Sequence, residues 1–287
     1  MMASRTFDSL SDFMTAESLE SGVFRVNDNG LPIDASLEKH VGRPLLVFLH
    51  GAKTRKVDLP WFVGAGMTAE REVSRLSISD PSLYISEELT LAWYAGNANQ
   101  GDISPKLASL IAKCAELIRA ERIILIGGSG GGFASLSIGA HIEGSIALVW
   151  NPQTHVRKYY KRFVDDYEKV AWKQNGKTLN DLKRLDLTTI YSQPLKNTVI
   201  YLQSATDEFH IQNHLQPFKQ KLHPENRCYF YTETWGEGHI PPPKNQLATW
   251  ISFSLAIDLD NQILWQNLET SSRSAGVSQP TKTAMSN

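Results

Sequence analysis

Three side chains with the chemistry of nucleophilic catalysis follow one another along the chain as Ser129, Asp207 and His239. A serine hydroxyl is a weak nucleophile until a base removes its proton, and an imidazole base needs a carboxylate that fixes its tautomer and stabilises its positive charge. Ser129 lies in Gly127-Gly128-Ser129-Gly130-Gly131, the G-x-S-x-G spacing of a serine held on a sharp corner between a strand and a helix. The order serine, acid, histidine is typical of acyl transfer at such a corner.

The residues on either side of Ser129 predict this corner. Residues 122–126 are a β-branched run that predicts a strand buried on both faces, and the small residues after Gly132 predict a helix. The flanking glycines leave room for a strained backbone, and the helix would point its N-terminus at a developing negative charge. The pentapeptide leaves one alternative open, in which Ser129 only caps the helix.

Two other uses of a glycine-rich turn do not fit these residues. A dinucleotide-binding turn that began at Gly128 would need glycine or alanine where Phe133 stands, and the next strand ends in Trp150-Asn151 without an acidic residue for a ribose. A phosphate-binding loop would need lysine and then serine or threonine after the glycines, and no lysine follows them here. The turn is therefore not typical of nucleotide binding.

The acid and the base each come after a predicted strand. Asp207 follows the strand that ends at Gln203; helix capping is its alternative role, and Glu208 is the nearest substitute acid. His239 is the only histidine after the last predicted strand, where a solvated loop histidine is the alternative. Because the carboxyl ends of parallel strands share one edge of a sheet, we expect all three side chains at that edge.

Strands and helices alternate from residue 44 to residue 259, which predicts an α/β fold with a mostly parallel, doubly wound sheet and helices on both faces. Strands are predicted at 44–49, 75–79, 122–126, 145–150, 197–203 and 227–232. Helices are predicted at 104–120, from the glycine corner to 141, at 208–222 with an interruption at Pro217, and at 244–259. The apolar and aromatic stretch at 89–96 is predicted as a strand or as a wall of the site.

The chain divides into a core and three further segments. Residues 44–150 and 197–260 form the predicted core, and residues 1–43 form an N-terminal extension with an edge hairpin. Residues 151–196 are too long for an ordinary connection and predict a helical cap insertion over the site. Residues 269–287 are rich in serine and threonine and predict a disordered tail.

The chain resembles the α/β-hydrolase superfamily of serine esterases, lipases, thioesterases and acyltransferases. The resemblance covers about residues 44–259 and rests on a few short motifs in their expected order: Leu49-His50-Gly51-Ala52, Gly127-Gly128-Ser129-Gly130-Gly131, Asp207 and His239. A weaker similarity to hydrolase-like proteins of bacterial capsule or surface-glycan assembly rests on residues 79–83 and 92–96.

The resemblance implies a role for each of these residues. Ser129 would be the nucleophile, His239 the general base and Asp207 the orienting acid. The oxyanion hole would be formed by backbone N–H groups, which the resemblance implies to be those of Gly130 and Ala52, with Gly51 as the alternative to Ala52.

Four further residues are candidates for substrate binding: His50, Trp93, Tyr159 and Trp235. His50 has the alternative role of bracing the oxyanion turn through a hydrogen bond, and the aromatic residues have that of core packing.

No cofactor is implied by these motifs. His210 and His214 are spaced so that both could face a metal ion, but no third ligand accompanies them, so we expect no metal site.

Composition narrows the classes of partner. The 287 residues are 41% hydrophobic and carry a net charge of −1, which favours a small-molecule ester or acylated substrate over nucleic acid. No apolar run reaches the roughly 20 residues that a membrane span needs. Cys114 and Cys228 are predicted as buried thiols, and with no signal-peptide pattern at residues 1–8 this favours a cytoplasmic location.

These predictions lead to a serine hydrolase of the carboxylic ester hydrolase class, which cleaves an ester or thioester through an acyl-enzyme. Two alternatives remain. The first is an acyltransferase or esterase that acts on a surface glycan, and the second is a binding or assembly protein that keeps the fold without catalysis.

Overall fold

Nine strands form one mixed sheet in the computed structural model, which describes residues 4–173, 178–179 and 183–258. The strands are β1 (Arg5–Phe7), β2 (Gly22–Asp28), β3 (Leu31–Glu38), β4 (Leu45–Leu49), β5 (Ser74–Ile78), β6 (Ile123–Gly128), β7 (Ile146–Trp150), β8 (Thr198–Ser204) and β9 (Arg227–Glu233). Their order across the sheet is β1-β2-β3-β5-β4-β6-β7-β8-β9. From β5 to β9 all neighbours are parallel, whereas β3 is antiparallel to both β2 and β5. The predicted mostly parallel, doubly wound sheet is confirmed.

The helices of the described residues are mostly short. They are α1 (Leu10–Met14), α2 (Ala65–Thr68), α3 (Ser104–Ile118), α4 (Ser129–Gly139), α5 (Lys161–Tyr167), α6 (Leu187–Ile190), α7 (Glu208–His210), α8 (Gln216–Lys221) and α9 (Lys244–Ala256). Single turns of 3₁₀-helix lie at Pro81–Ile85, Val156–Lys158 and Lys183–Leu185, and π-helical turns lie at Glu168–Trp172 and Ile211–Leu215. None of these helices has the length and apolar character that crossing a bilayer requires.

The central strands are buried on both faces, as their uninterrupted apolar sequences predict. Successive side chains of β4 enter opposite core layers: Val47 packs with the layer beneath α3, and Leu46 and Phe48 pack with the layer beneath α9. The helix α3 contributes its apolar stripe, including Leu107 and Ile111, to the first layer. Burial on both sides holds β6 rigidly, so the corner that follows it has a fixed position.

The N-terminal residues complete one end of the sheet. The strands β2 and β3 form a hairpin whose turn has Asn29 and Gly30 in the left-handed region, at φ 50° and 83°. The hairpin pairs through β3 with β5. The division into an extension, a core and a cap stays a prediction, and the predicted tail at 269–287 lies outside the described residues.

The stretch at 89–96 is not a strand. Trp93 and Tyr94 both have a left-handed backbone, at φ 57° and 52°, which is incompatible with a strand. The buried carboxylate of Asp80 accepts a hydrogen bond from the Tyr94 N–H at 2.7 Å and helps to hold this irregular backbone. The stretch therefore forms a buried loop beside the corner.

The sequence predicts that Pro217 interrupts the helix at 208–222, but in the structure the helical segment continues through this residue. The π-helical turn Ile211–Leu215 ends just before it, and Pro217 lies in the first turn of α8. The helical backbone is therefore continuous from Glu208 to Lys221, with a π-helical turn in place of the α-helical pattern just before the proline.

Candidate active site

Ser129 lies at the corner between β6 and α4 with its backbone in the left-handed region, at φ 54°. This conformation is rare for a residue with a side chain and marks a strained turn of the nucleophile-elbow type. The corner places Ser129 at the carboxyl edge of the sheet and at the N-terminus of α4. Ser129 therefore lies at the edge of the sheet where the sequence predicts the site.

The glycines around Ser129 are required by close backbone contacts. A Cβ atom on Gly127 would lie 2.3 Å from the carbonyl oxygen of Gly131, and a Cβ atom on Gly131 would lie 2.1 Å from that of Leu49. The end of β4 and the start of α4 thus lie so close together that no side chain fits between their backbones. This contact brings the residues that follow β4 next to the corner.

Gly51 and Gly130, two of the predicted oxyanion residues, face each other across that contact. A Cβ atom on Gly51 would lie 3.7 Å from Ser129 Cβ and 3.9 Å from the Gly130 nitrogen. Ala52, the third candidate, lines the same cleft as Ser129. The structure therefore brings all three candidates to the corner.

His50 is a buried brace beneath this turn. Its Nδ1–H donates to the Gly51 carbonyl oxygen at 2.8 Å, and its Nε2 accepts from the Asp80 N–H at 3.1 Å. Burial lowers the pKa of His50 to about 4, so the ring is neutral at physiological pH. These bonds correspond to the bracing role that was the alternative to substrate binding.

Asp207 and His239 are joined directly. Asp207 follows β8 and is buried, and its carboxylate lies 2.5 Å from His239 Nδ1. Burial acts to raise the pKa of Asp207, but hydrogen bonds from His210 and His239 outweigh it and hold that pKa well below its usual range. Asp207 is also the N-cap of α7 and accepts a hydrogen bond from the His210 N–H, so its capping role accompanies its contact with His239.

The loop that carries His239 is tied to the ends of two other strands. Asn151, directly after β7, donates to the Ile240 carbonyl oxygen at 2.8 Å. Thr206, after β8, donates through its hydroxyl to the Gly236 carbonyl oxygen at 2.6 Å and accepts from the Gly238 N–H at 3.1 Å. These bonds set the position of His239 relative to Ser129.

His210 and Gln153 belong to the site, although the sequence reasoning did not place them there. His210 is fully buried, its Nδ1 lies 2.9 Å from the Asp207 carboxylate, and its ring stacks on that of His239 with centroids 4.1 Å apart. Gln153 Nε2 lies 2.8 Å from Ser129 Oγ and 3.0 Å from His210 Nε2. The signal that could have found Gln153 is its place just after β7, next to the strand of the corner.

The hydroxyl of Ser129 is hydrogen-bonded to Gln153 in this structure. Within the described residues no hydrogen bond joins it to His239, although both side chains line one cleft. Tyr159 also approaches Ser129: burial raises the pKa of this phenol, and a hydrogen bond with Ser129 acts to lower it. A hydrogen bond between a nucleophile and its base is often long without substrate and tightens when substrate binds.

The cleft at the corner has a volume of about 450 Å³, and we call it the elbow cleft. Its lining includes Ser129, His239, His50 and Tyr159 of the predicted site, together with apolar and aromatic walls formed by Phe48, Trp61, Val63, Met67, Trp150 and Pro241. A larger cleft of about 630 Å³ between α2 and α9 is lined by none of the predicted site residues.

Trp93 and Trp235 lie outside the lining of the elbow cleft. Trp93 is fully buried, and its indole N–H donates to Gln153 Oε1 at 3.2 Å. Trp235 packs against the core layer beneath α9. Both residues correspond to the core-packing alternative, and Trp93 is linked to Ser129 through Gln153.

Asp207, His210 and His239 place their ligand atoms within 4.8 Å of one another, close enough to surround a metal ion. Both imidazole Nδ1 atoms are bonded to the Asp207 carboxylate, however, and His210 Nε2 is bonded to Gln153. These atoms therefore satisfy one another as a hydrogen-bond network. His214 is set apart from it, since its Nδ1 accepts from the Thr154 N–H.

Neither a protein-family model nor a curated protein matches this sequence. Solved structures do match. A mutant form of the capsule O-acetyltransferase of Neisseria meningitidis serogroup A, in complex with CoA, is 14% identical with a TM-score of 0.58, and the match covers 80% of this chain and 98% of that one.

Two further structures come from different enzymes. The acylaminoacyl peptidase of Pyrococcus horikoshii is 15% identical with a TM-score of 0.60, over 87% of this chain and 44% of that one. The acetyl xylan esterase from Paenibacillus sp. R4 is 16% identical with a TM-score of 0.51, over 87% of this chain and 92% of that one. At these identities the likeness concerns the fold, and together with the parallel sheet and its strand-to-helix corner it shows that the chain has the α/β-hydrolase fold.

Proposed function

We propose that this protein is a serine hydrolase that transfers an acyl group through Ser129, His239 and Asp207. One observation carries the proposal: Ser129, on a strained corner, lines the same cleft as a histidine whose Nδ1 is bonded to a buried carboxylate. A structural serine needs neither the left-handed backbone nor this histidine and acid across the cleft.

In the first half of the proposed reaction, the Ser129 hydroxyl passes its proton to His239 Nε2 while Oγ forms a bond to the carbonyl carbon of the substrate. The carbonyl oxygen becomes an oxyanion, which accepts hydrogen bonds from the N–H groups of Gly130 and of Ala52 or Gly51. His239 then returns the proton to the leaving group as the bond to that group breaks. Asp207 keeps Nδ1 of His239 protonated, which leaves Nε2 free to accept the proton.

In the second half, water attacks the acyl-enzyme. His239 takes one proton from the water, the oxyanion forms again, and the proton passes to Ser129 Oγ as the acid is released. The volume of the elbow cleft, about 450 Å³, and its apolar walls suit the acyl part of a small ester or thioester.

The second candidate function is acyl transfer to an alcohol. The likeness in fold to a capsule O-acetyltransferase in complex with CoA favours it. In that case the hydroxyl of a sugar would replace water in the second half of the reaction, with His239 again taking the proton. A surface glycan is the acceptor class that we propose for this alternative.

A fluorophosphonate probe tests the proposal on the intact protein. We expect a covalent adduct on Ser129, located by peptide mass spectrometry, and loss of both the adduct and the hydrolysis of p-nitrophenyl acetate in Ser129→Ala. Ser109→Ala, an exposed serine on α3, is the matched control and should keep both. An unlabelled wild-type protein with no esterase activity would reject catalysis and favour the non-catalytic binding protein.

Product analysis separates the two catalytic candidates. The purified protein is given an acetyl thioester together with a panel of sugars, and the products are separated by mass. Acetate alone, at a rate independent of the sugar, supports hydrolysis. An O-acetylated sugar formed at the expense of acetate supports transfer.

A further inference from the structure

Gln153 has an amide orientation that its neighbours determine. An indole N–H only donates, so the Gln153 atom that faces Trp93 Nε1 at 3.2 Å must be the carbonyl oxygen. The NH₂ group therefore faces the other way, toward Ser129 Oγ at 2.8 Å and His210 Nε2 at 3.0 Å. The Gln153 side chain is fully buried among these partners.

The same orientation determines the tautomer of His210. Both hydrogens of the Gln153 NH₂ group are used, one toward Ser129 and one toward His210 Nε2, so that nitrogen must present a lone pair. The proton of the neutral ring then lies on Nδ1, which donates to Asp207 at 2.9 Å. A protonated His210 would direct an N–H at the NH₂ group of Gln153.

Charged and titratable groups surround His210 from several elements. Asp207 precedes it on the same segment, His239 stacks on it from the loop after β9, and Tyr159 contacts its ring from the connection after β7. His214 lies one turn further along, with ring centroids 5.1 Å apart. Burial lowers the pKa of His210; the hydrogen bond with Asp207 opposes this effect, and the neighbouring His239 adds to it.

We propose that Gln153 is a positioning residue that fixes the Ser129 hydroxyl and holds His210 as a neutral imidazole. The negative charge of Asp207 then stabilises the positive charge of His239 alone. The proposal rests on the proposed function as far as Ser129 is the nucleophile. It goes beyond the triad because it joins the nucleophile to the acid by a second, buried path through Gln153 and His210.

The charge of His210 matters because of the stacking contact. During the proposed reaction His239 becomes an imidazolium, and a cationic His210, whose ring centroid lies 4.1 Å from that of His239, would repel it. A cationic His210 would also neutralise the carboxylate that stabilises the imidazolium. A neutral His210 avoids both effects and still anchors the Asp207 carboxylate.

The first test measures the protonation state of His210 and does not depend on enzymatic activity. The wild-type protein and Gln153→Glu, both labelled with ¹⁵N-histidine, are titrated from pH 5 to pH 9 and followed by long-range ¹H–¹⁵N correlation spectra. The His210 signal is assigned as the one that is missing from the spectrum of His210→Asn. We expect wild-type His210 to stay neutral and protonated on Nδ1 throughout. In Gln153→Glu we expect a cationic ring at pH 6, because the new carboxylate accepts from Nε2–H.

A wild-type His210 that carries its proton on Nε2, or that becomes cationic within this range, overturns the proposal. If Gln153→Glu does not fold, the wild-type spectrum alone decides the question, since the tautomer is predicted for the native protein.

The second test uses kinetics to measure how the reactivity of Ser129 depends on Gln153. Gln153→Met keeps most of the volume and removes both donors, and we expect kcat and the rate of fluorophosphonate labelling to fall about tenfold to a hundredfold with little change in KM. Gln203→Met is the matched control: this glutamine is equally buried, and it bonds to the backbone of Ser204. Trp93→Phe removes the donor that orients Gln153 and should lower kcat in the same direction by a smaller factor.

A structural role for Gln153 would lower the melting temperature without a selective effect on kcat. The proposal predicts instead that Gln153→Met and Gln203→Met melt at similar temperatures and differ in kcat, and that the acidic limb of the pH–rate profile moves only in Gln153→Met. Equal kcat values in the two variants overturn the proposal. An inactive wild-type protein would reject the proposed function instead, and the protonation of His210 would still be tested.

Discussion

The ring of His210 lies on the ring of His239, with centroids 4.1 Å apart and planes 17° from parallel. Both rings donate through Nδ1 to the single carboxylate of Asp207. One buried acid therefore orients two imidazoles, of which only His239 reaches the elbow cleft.

The first prediction concerns this shared acid. In Asp207→Asn the amide can present an NH₂ group to His239 Nδ1, which forces the proton of the ring onto Nε2 and removes the lone pair that would accept the proton of Ser129. We expect kcat for p-nitrophenyl acetate to fall about 10³- to 10⁴-fold. Glu208→Gln, at the exposed neighbouring acid, is the control and should keep its activity; equal losses in the two variants would reject the assignment of Asp207.

The second prediction concerns Tyr159, which lines the elbow cleft together with Ser129 and lies in the connection after β7. Tyr159→Phe keeps the ring contacts and removes the hydroxyl, so we expect about a tenfold loss of kcat/KM with little change in the melting temperature. Tyr160→Phe makes the same change at the exposed next residue, so it is the control and should keep its activity. Full activity in Tyr159→Phe would show that this hydroxyl does not take part.

The third prediction concerns the contact between the corner and the end of β4. Gly131→Ala places a methyl group 2.1 Å from the Leu49 carbonyl oxygen, and because backbone lies on both sides neither partner can give way. We expect the free energy of unfolding to fall by about 3 kcal/mol, measured by urea denaturation. Gly66→Ala in α2 is the control, because among the described residues nothing lies within 4 Å of its added Cβ; alanine there should be neutral or slightly stabilising.

The fourth prediction concerns stability in mild acid. Burial, with His210 as the next cause, lowers the pKa of His214 to about 3 in the folded protein, against an ordinary value of 6.5. As the pH falls from 6.5 to 4.5 the unfolded chain therefore takes up a proton at His214 that the folded protein does not. We expect this to remove about 2–3 kcal/mol from the free energy of unfolding over that range, and to cost nothing above pH 7.

His214→Asn tests this prediction, because its side-chain oxygen can still accept from the Thr154 N–H. Urea denaturation of this variant between pH 7 and pH 4.5 should show a shallower loss of stability than the wild-type protein does. His223→Asn, at a partly exposed histidine of a surface turn, makes the same change elsewhere. The prediction is wrong if His214→Asn and the wild-type protein lose stability in parallel.

Much of the fold could be predicted from local sequence signals. Strands such as β4, β6 and β8 are buried on both faces and have nearly continuous apolar sequences. The glycines around Ser129 predict the corner because its close backbone contacts leave no room for side chains. The α/β-hydrolase resemblance is confirmed for the fold. The roles of Ser129, Asp207 and His239 stay predictions, and the structure supports them by geometry.

The remaining features depend on contacts between distant residues. Gln153 has no motif, and its role is visible only when Trp93, Ser129 and His210 are placed around it. For His210 the sequence shows only a spacing of four residues from His214, which suggests a pair of metal ligands on a helix; the stacking on His239 depends on contacts between distant residues. The stretch at 89–96 has the composition of a strand, but the hydrogen bond from Tyr94 to Asp80 holds it in another conformation.

The polar anchors of the His239 loop have a thermodynamic consequence. Asn151 and Thr206 hold this loop through a few hydrogen bonds at the rim, whereas the sheet below it is held by buried apolar layers. Low concentrations of denaturant should detach the loop in a local opening, long before the strands separate. The chain would then pass through a state that is still folded yet lacks its base, so the midpoint for loss of activity would precede the midpoint for loss of secondary structure.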